Sequence, residues 1–182
     1  MNRYGVLLFL GLMGTGCASI RMTSVTDPAG KGKHYQSFIV LAKLADQDMR
    51  AHVERRVAER LKEAGVEGIA SLDLLPPTKE YTESEITTQL WARGIEGFLV
   101  LSVNEPRASR ASAGPDTVSE GSAPPTASLR TELFDVLQQK RAWISTAQAK
   151  GSEVATFNTV APYCDKIVER MLADNLLLLK RP

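Results

Sequence analysis

Ser37-Phe38-Ile39-Val40-Leu41-Ala42-Lys43-Leu44 is an apolar run broken by one charge. A run of this kind fits a strand buried on both faces of a parallel sheet, and it is the expected central strand. Outward toward the C-terminus, Asp46 or Asp48 can cap a helix. In that helix Met49, Val53, Val57 and Leu61 recur every fourth residue and lay one apolar stripe against the sheet, and Gly65 ends it. Arg50, Glu54, Arg55, Arg56, Glu59, Arg60, Lys62 and Glu63 are assigned to its solvated faces.

Val66 to Leu75 reads as a second strand closed by Pro76-Pro77, since neither proline donates to a ladder. Thr82-Glu83-Ser84-Glu85 fits a capping box for a short helix carrying Ile86 and Leu90, flanked by Trp91 and stopped at Gly94. Gly97 to Val103 is the third strand. Two strand-helix-strand units in series imply a parallel sheet with right-handed crossovers.

From Asn104 to Ser128 the chain changes to Pro, Ser, Ala and scattered charge, which buries too little apolar surface to offset ordering entropy; a long disordered loop is expected. Leu129 to Leu137 and Arg141 to Ala149 then read as an antiparallel hairpin turning at Gln138-Gln139-Lys140 through a type I turn. Val160, Cys164, Ile167, Val168, Met171 and Leu172 form the stripe of a last helix that stops at Asn175. The expected fold is α/β: a mixed sheet of about five strands, a β-α-β-α-β parallel core plus an antiparallel hairpin, with a C-terminal helix.

The N-terminal end has a different character. Arg3 precedes an apolar run, Gly5 to Met13, and Gly14-Thr15-Gly16 leads directly into Cys17. That order is an export signal; the run is shorter than the ~20 apolar residues needed to span a bilayer. It resembles a bacterial lipoprotein signal, although Gly14 stands where such signals usually have Leu. The resemblance implies cleavage after residue 16 and an acylated Cys17 that fixes the protein to a membrane without a transmembrane helix. Ala18, rather than Asp, implies sorting to the periplasmic face of the outer membrane. Residues 17–34 read as a tether of roughly 20–25 Å, and 35–182 as a single domain.

Composition narrows the function. The 182 residues carry 22 Lys plus Arg against 21 Asp plus Glu, a near-neutral balance without the basic surplus that a nucleic-acid partner requires. The chain has two cysteines. With Cys17 consumed by lipidation, Cys164 has no intramolecular partner and is expected as an inert core thiol. Gly30-Lys31-Gly32-Lys33 lacks the spacing of a phosphate loop, and His34 and His52 are isolated. Glu80, Glu83 and Glu85 sit at a helix start, where the dipole favours acids. No catalytic residues, metal ligands or cofactor are assigned, and an enzyme is not expected.

The strand and helix order behind this signal resembles the α/β domain of curli-secretion-type lipoproteins and of the TolB N-terminal domain. Phe38 to Leu41, Gly65-Val66, Asp73 to Leu75, Gly97 to Leu101, Leu133 to Asp135 and Lys140 to Trp143 carry the likeness. The hairpin lacks the Thr-Gly-Lys turn common in those families, and Asn104 to Ser128 lacks the alternation of a barrel strand, so the fold is carried over and not the pore. The expected function is that of a non-enzymatic, membrane-anchored envelope lipoprotein that binds or assembles another envelope component; the alternative is a periplasmic carrier or sensor of a small apolar ligand. The expected contact is the open edge of the hairpin, which the loop Asn104 to Ser128 either covers or extends, with an envelope protein as partner and Phe134 and Trp143 as candidate anchors, each of which equally fits a core position.

Overall fold

The computed structural model describes residues 20–104, 126–150 and 157–178. Cys17, the signal and residues 105–125 of the expected loop lie outside these. In chain order the elements are β1 (Arg21–Thr26), a 3-10 turn (Pro28–Gly30), β2 (Ser37–Lys43), α1 (Gln47–Glu63), β3 (Glu67–Ala70), α2 (Ser71–Leu74), α3 (Glu83–Ala92), β4 (Gly97–Asn104), β5 (Thr126–Asp135), β6 (Lys140–Lys150) and α4 (Phe157–Ala173). The strands form one six-stranded mixed sheet in the order β1-β6-β5-β4-β2-β3. β2 pairs in parallel with both β3 and β4, as its apolar run implies, whereas β5 and β6 are antiparallel and continue from β4.

The sheet has a sixth strand because part of the expected tether is β1. Arg-Met-Thr-Ser-Val-Thr alternates exposed and half-buried side chains along its six residues, and Met22 packs against the main core. Half-burial at an edge asks only for period-2 alternation and β-compatible residues. Thr and Ser satisfy that as well as larger apolar residues do, so composition alone reads as linker. Since β1 pairs with β6, the hairpin edge expected to be open is occupied.

Three further expectations change. The second strand ends at Ala70 and the chain turns into α2. Within α1, Glu54 leaves the solvated face and is fully buried. Its carboxylate accepts from Ala42 N (3.0 Å), Leu72 N (3.0 Å), Ser71 Oγ (2.9 Å) and Arg50 Nε (2.9 Å). It therefore satisfies backbone donors at the end of β2 and at the start of α2, which has no side-chain cap of its own. In the last helix Leu172 is 37% exposed, while Val160, Cys164, Ile167, Val168 and Met171 are buried.

Other local readings hold. Asp46 caps α1, Thr82 and Glu85 form the capping box of α3, and Gly65, Gly94 and Asn175 take positive φ after their helices. The hairpin turn is displaced from the expected Gln138–Lys140: β5 ends at Asp135, the connection runs from Val136 to Gln139 with Gln139 at φ 53, and Lys140 already belongs to β6. Gly68 is required by close approach, because a Cβ there would lie 2.5 Å from the Ala58 carbonyl oxygen of α1.

Register assigns the two faces. Val40, Leu99, Leu133 and Trp143 are successive cross-strand partners, each 0–1% exposed, and belong to the cluster that α1 and α4 cover. One residue along, Leu41, Val100, Glu132, Ile144 and Val25 form the matching row on the other face. There a smaller cluster of Ile39, Leu74, Leu90, Ile95 and Val136 lies with α2 and α3 at one end, and Val25 at the other end is 67% exposed.

Candidate interaction surface

Incomplete cover leaves a groove of about 550 Å³ on this second face. Its floor is Leu41, Phe98 and Val100, which point the same way because they are register partners or two apart on β2 and β4. Ile86, Thr87 and Leu90 of α3, with Tyr81 and Glu83 before and at its start, make one wall. Glu132 and Phe134 of β5 make the other, and Lys43 stands at the end of β2.

Most charges around the groove are compensated within the fold. Arg130 Nη2 (2.8 Å) and Arg141 Nη1 (2.7 Å) donate to Glu132. Burial raises this carboxyl, but the two guanidinium groups outweigh that and hold it below the ordinary glutamate range. Asp135 is buried and accepts from Lys33 Nζ, Tyr35 Oη (3.2 Å) and Gln138 N (2.8 Å). Burial likewise raises Asp135, and these donors more than reverse it, leaving the carboxyl below the usual range. Tyr35, pressed by burial and by Asp135, is raised far above an ordinary phenol. Glu83 lies in the first turn of α3, where the helix dipole favours an acid. Lys43 is exposed, and among the described residues no hydrogen bond or ion pair engages its ammonium.

The structure separates the two aromatic anchors. Phe134 lines the groove and is half-buried. Trp143 is 1% exposed on the opposite face, with Nε1 donating to Asp174 at 2.7 Å. Alternation places neighbours on opposite faces, and the register shift between Leu133 and Phe134 sets Trp143 opposite Leu133 and Arg141 opposite Phe134. Trp143 is thus a core residue and no docking anchor. Cys164 is a free, fully buried thiol, pushed up to about 12 by desolvation first and Asp165 second. His34 is half-buried and His52 exposed. Among the described residues no His, Cys, Asp and Glu cluster has metal-site geometry, and no helix is long and apolar enough to cross a membrane.

No protein-family profile and no curated protein sequence matches the chain. Solved structures do. The PelC dodecamer from Paraburkholderia phytofirmans aligns with TM-score 0.49 and 12% identity over 88% of this chain and 99% of that one. The lipoprotein GNA1162 from Neisseria meningitidis aligns with TM-score 0.43 and 16% identity over 75% and 98%. TolB from Acinetobacter baumannii aligns with TM-score 0.42 and 9% identity over 86% of this chain and 31% of TolB.

The groove was missed in the sequence because its floor alternates with core residues inside runs that are apolar throughout. Its one visible signal was Lys43, a charge closing an otherwise apolar strand.

Proposed function

We propose that this protein is a non-enzymatic, lipid-anchored component of the bacterial envelope that docks a second envelope protein along β1. The observation that carries the reading is the position of β1: it ends the sheet, its outer side has no strand partner among the described residues, and Val25 on it is 67% exposed. An unpaired strand edge templates the addition of another chain's strand, with backbone hydrogen bonds giving affinity and alternate side chains giving selectivity. The lipoprotein-type signal ending at Cys17 supports an anchor four residues before this edge, which would hold β1 near the lipid surface. The finer assignment, to the curli-secretion and TolB-type domain on the periplasmic face of the outer membrane, rests on the sequence resemblance.

A photo-crosslinking residue at Val25 in living cells tests the docking. A discrete protein adduct from Val25, none from the exposed Lys62 of α1, and loss of the adduct in Cys17→Ser is the expected result. Equal labelling from both positions, or none, would remove β1 from the mechanism. The groove favours a second reading, a carrier or sensor of a small apolar ligand, since its volume lies within the range of about 300–1,000 Å³ usual for ligand pockets.

A further inference from the structure

We infer that the groove between α3 and β5 is a site for a single-chain amphiphile with an anionic head, its tail over Leu41, Phe98 and Val100 and its head at Lys43. The inference rests on the carrier reading and is independent of docking at β1.

The tail follows from backbone chemistry. The groove lies on a sheet face, and the strands beneath it, β2, β4 and β5, already have neighbours on both sides. A peptide laid there would find no ladder to join, and its own amides would lose water without replacement, at a cost for each. An alkyl chain has no such groups. The floor is apolar, and Ile86 of α3 and Phe134 of β5 both line the groove. From Ile39 to Lys43 the strand rises about 13 Å, the reach of a medium-length chain lying along it.

The sign of the head follows from the inventory of charges. Glu132 is matched by two arginines and Asp135 by Lys33. Glu83 faces the positive end of α3. Neither Lys43 nor Glu83 has a hydrogen-bonded or ion-paired side-chain partner among the described residues, but the helix dipole favours the acid at Glu83 and nothing comparable favours the ammonium of Lys43. An anion bound at Lys43 would supply a partner, whereas a cationic head would meet like charge.

The test uses the full chain carrying Cys17→Ser, so that no acyl group of its own competes. Dodecanoate and dodecyltrimethylammonium share a tail and differ in head. Each is titrated calorimetrically below its micelle concentration. Dodecanoate should saturate at one per chain and bind at least tenfold more tightly than the cation. Lys43→Glu, a change at an exposed position, should weaken dodecanoate at least tenfold and bring the cation level with it or ahead. Ile86→Trp, which fills the groove, should abolish both, and an unchanged circular dichroism melt confirms that this variant is folded. Equal binding of the two heads with no effect of Lys43→Glu would overturn the anionic assignment while leaving an apolar carrier site. Absence of binding by either amphiphile would overturn both that assignment and the carrier reading. Binding that survives Ile86→Trp would overturn the placement in the groove.

Discussion

Two rows of side chains one residue apart cross the same strands and meet opposite fates. Val40, Leu99, Leu133 and Trp143 are sealed under two long helices, while Leu41, Val100, Glu132, Ile144 and Val25 pass from the shelter of a short helix into water. The difference lies in the supply of helix. Among the described residues, α1 and α4 each run for 17 residues, and both sit on the first face, whereas the second has the 10-residue α3 and the single turn of α2. Stability is thereby concentrated on one face, and the other keeps an open groove. Glu132 shows the consequence, since an ionised carboxylate in the middle of the sealed row would need costly burial. In the open row it needs only the two arginines beside it.

The sharpest way to break this comparison is to truncate one aromatic on each face. Trp143→Ala should cost about 3–5 kcal/mol, because it opens a cavity in a packed core and removes one donor from Asp174, which keeps Ser24 and Arg170. Phe134→Ala should cost less, about 1–2 kcal/mol, since the ring is only partly buried. Urea unfolding of both variants measures this, and equal losses would mean that the second face is as fully packed as the first.

Next in size is Glu54→Gln. The buried carboxylate joins β2, α1 and α2, and the neutral amide keeps its shape while converting one acceptor oxygen into a donor among donors. Destabilisation of about 2–3 kcal/mol is expected, measurable by the same unfolding curves. A neutral result would show that Glu54 fills space and caps nothing.

Glu54 also marks where sequence legibility stops. Elements specified by local chemistry were readable: the β2 run, the every-fourth-residue stripe of α1, the Thr82–Glu85 box and the helix stop at Asn175. Residues whose role depends on a distant segment were not. Glu54 looks like its charged neighbours until Ser71 and Leu72 arrive beneath it. β1 looks like linker until β6 supplies its ladder. Phe134 and Trp143 read as one aromatic patch until the register shift assigns them to opposite faces.

A third measurement sharpens the comparison through pH. Asp135 at the end of the groove and Glu132 on its wall both have folded pKa values below the ordinary range. A depressed folded pKa contributes stability that is present above the unfolded pKa and lost as pH falls through the folded one. The melting temperature should therefore decline below about pH 4, the ordinary carboxylate range. Asp135→Asn should lower stability at neutral pH and flatten that acid limb, and an acid limb identical to that of the unaltered protein would remove Asp135 from it.

The smallest expected effect is the most informative about how independent the two faces are. Asp46 caps α1 by accepting from Met49 N at 2.8 Å, and Thr82 caps α3 by accepting from Glu85 N at 3.3 Å. Replacing either with Ala removes a comparable local contribution, about 1 kcal/mol. The consequences should differ, because α1 buries Met49, Val53, Glu54, Val57, Ala58 and Leu61, whereas α3 buries only Leu90 fully. A helix held by many buried contacts opens with the whole domain, and one held by few opens by itself. Asp46→Ala should accordingly lower the melting temperature and speed the slowest-exchanging amides on both faces. Thr82→Ala should leave the melting temperature nearly unchanged and speed exchange within residues 83–92 alone. Amide hydrogen exchange read by mass spectrometry separates the cases. If Thr82→Ala also weakens protection in α1 and α4, the sheet transmits the loss of α3 cover to the sealed face and the two faces unfold as one unit, so a ligand in the groove would stabilise the whole domain rather than α3 alone.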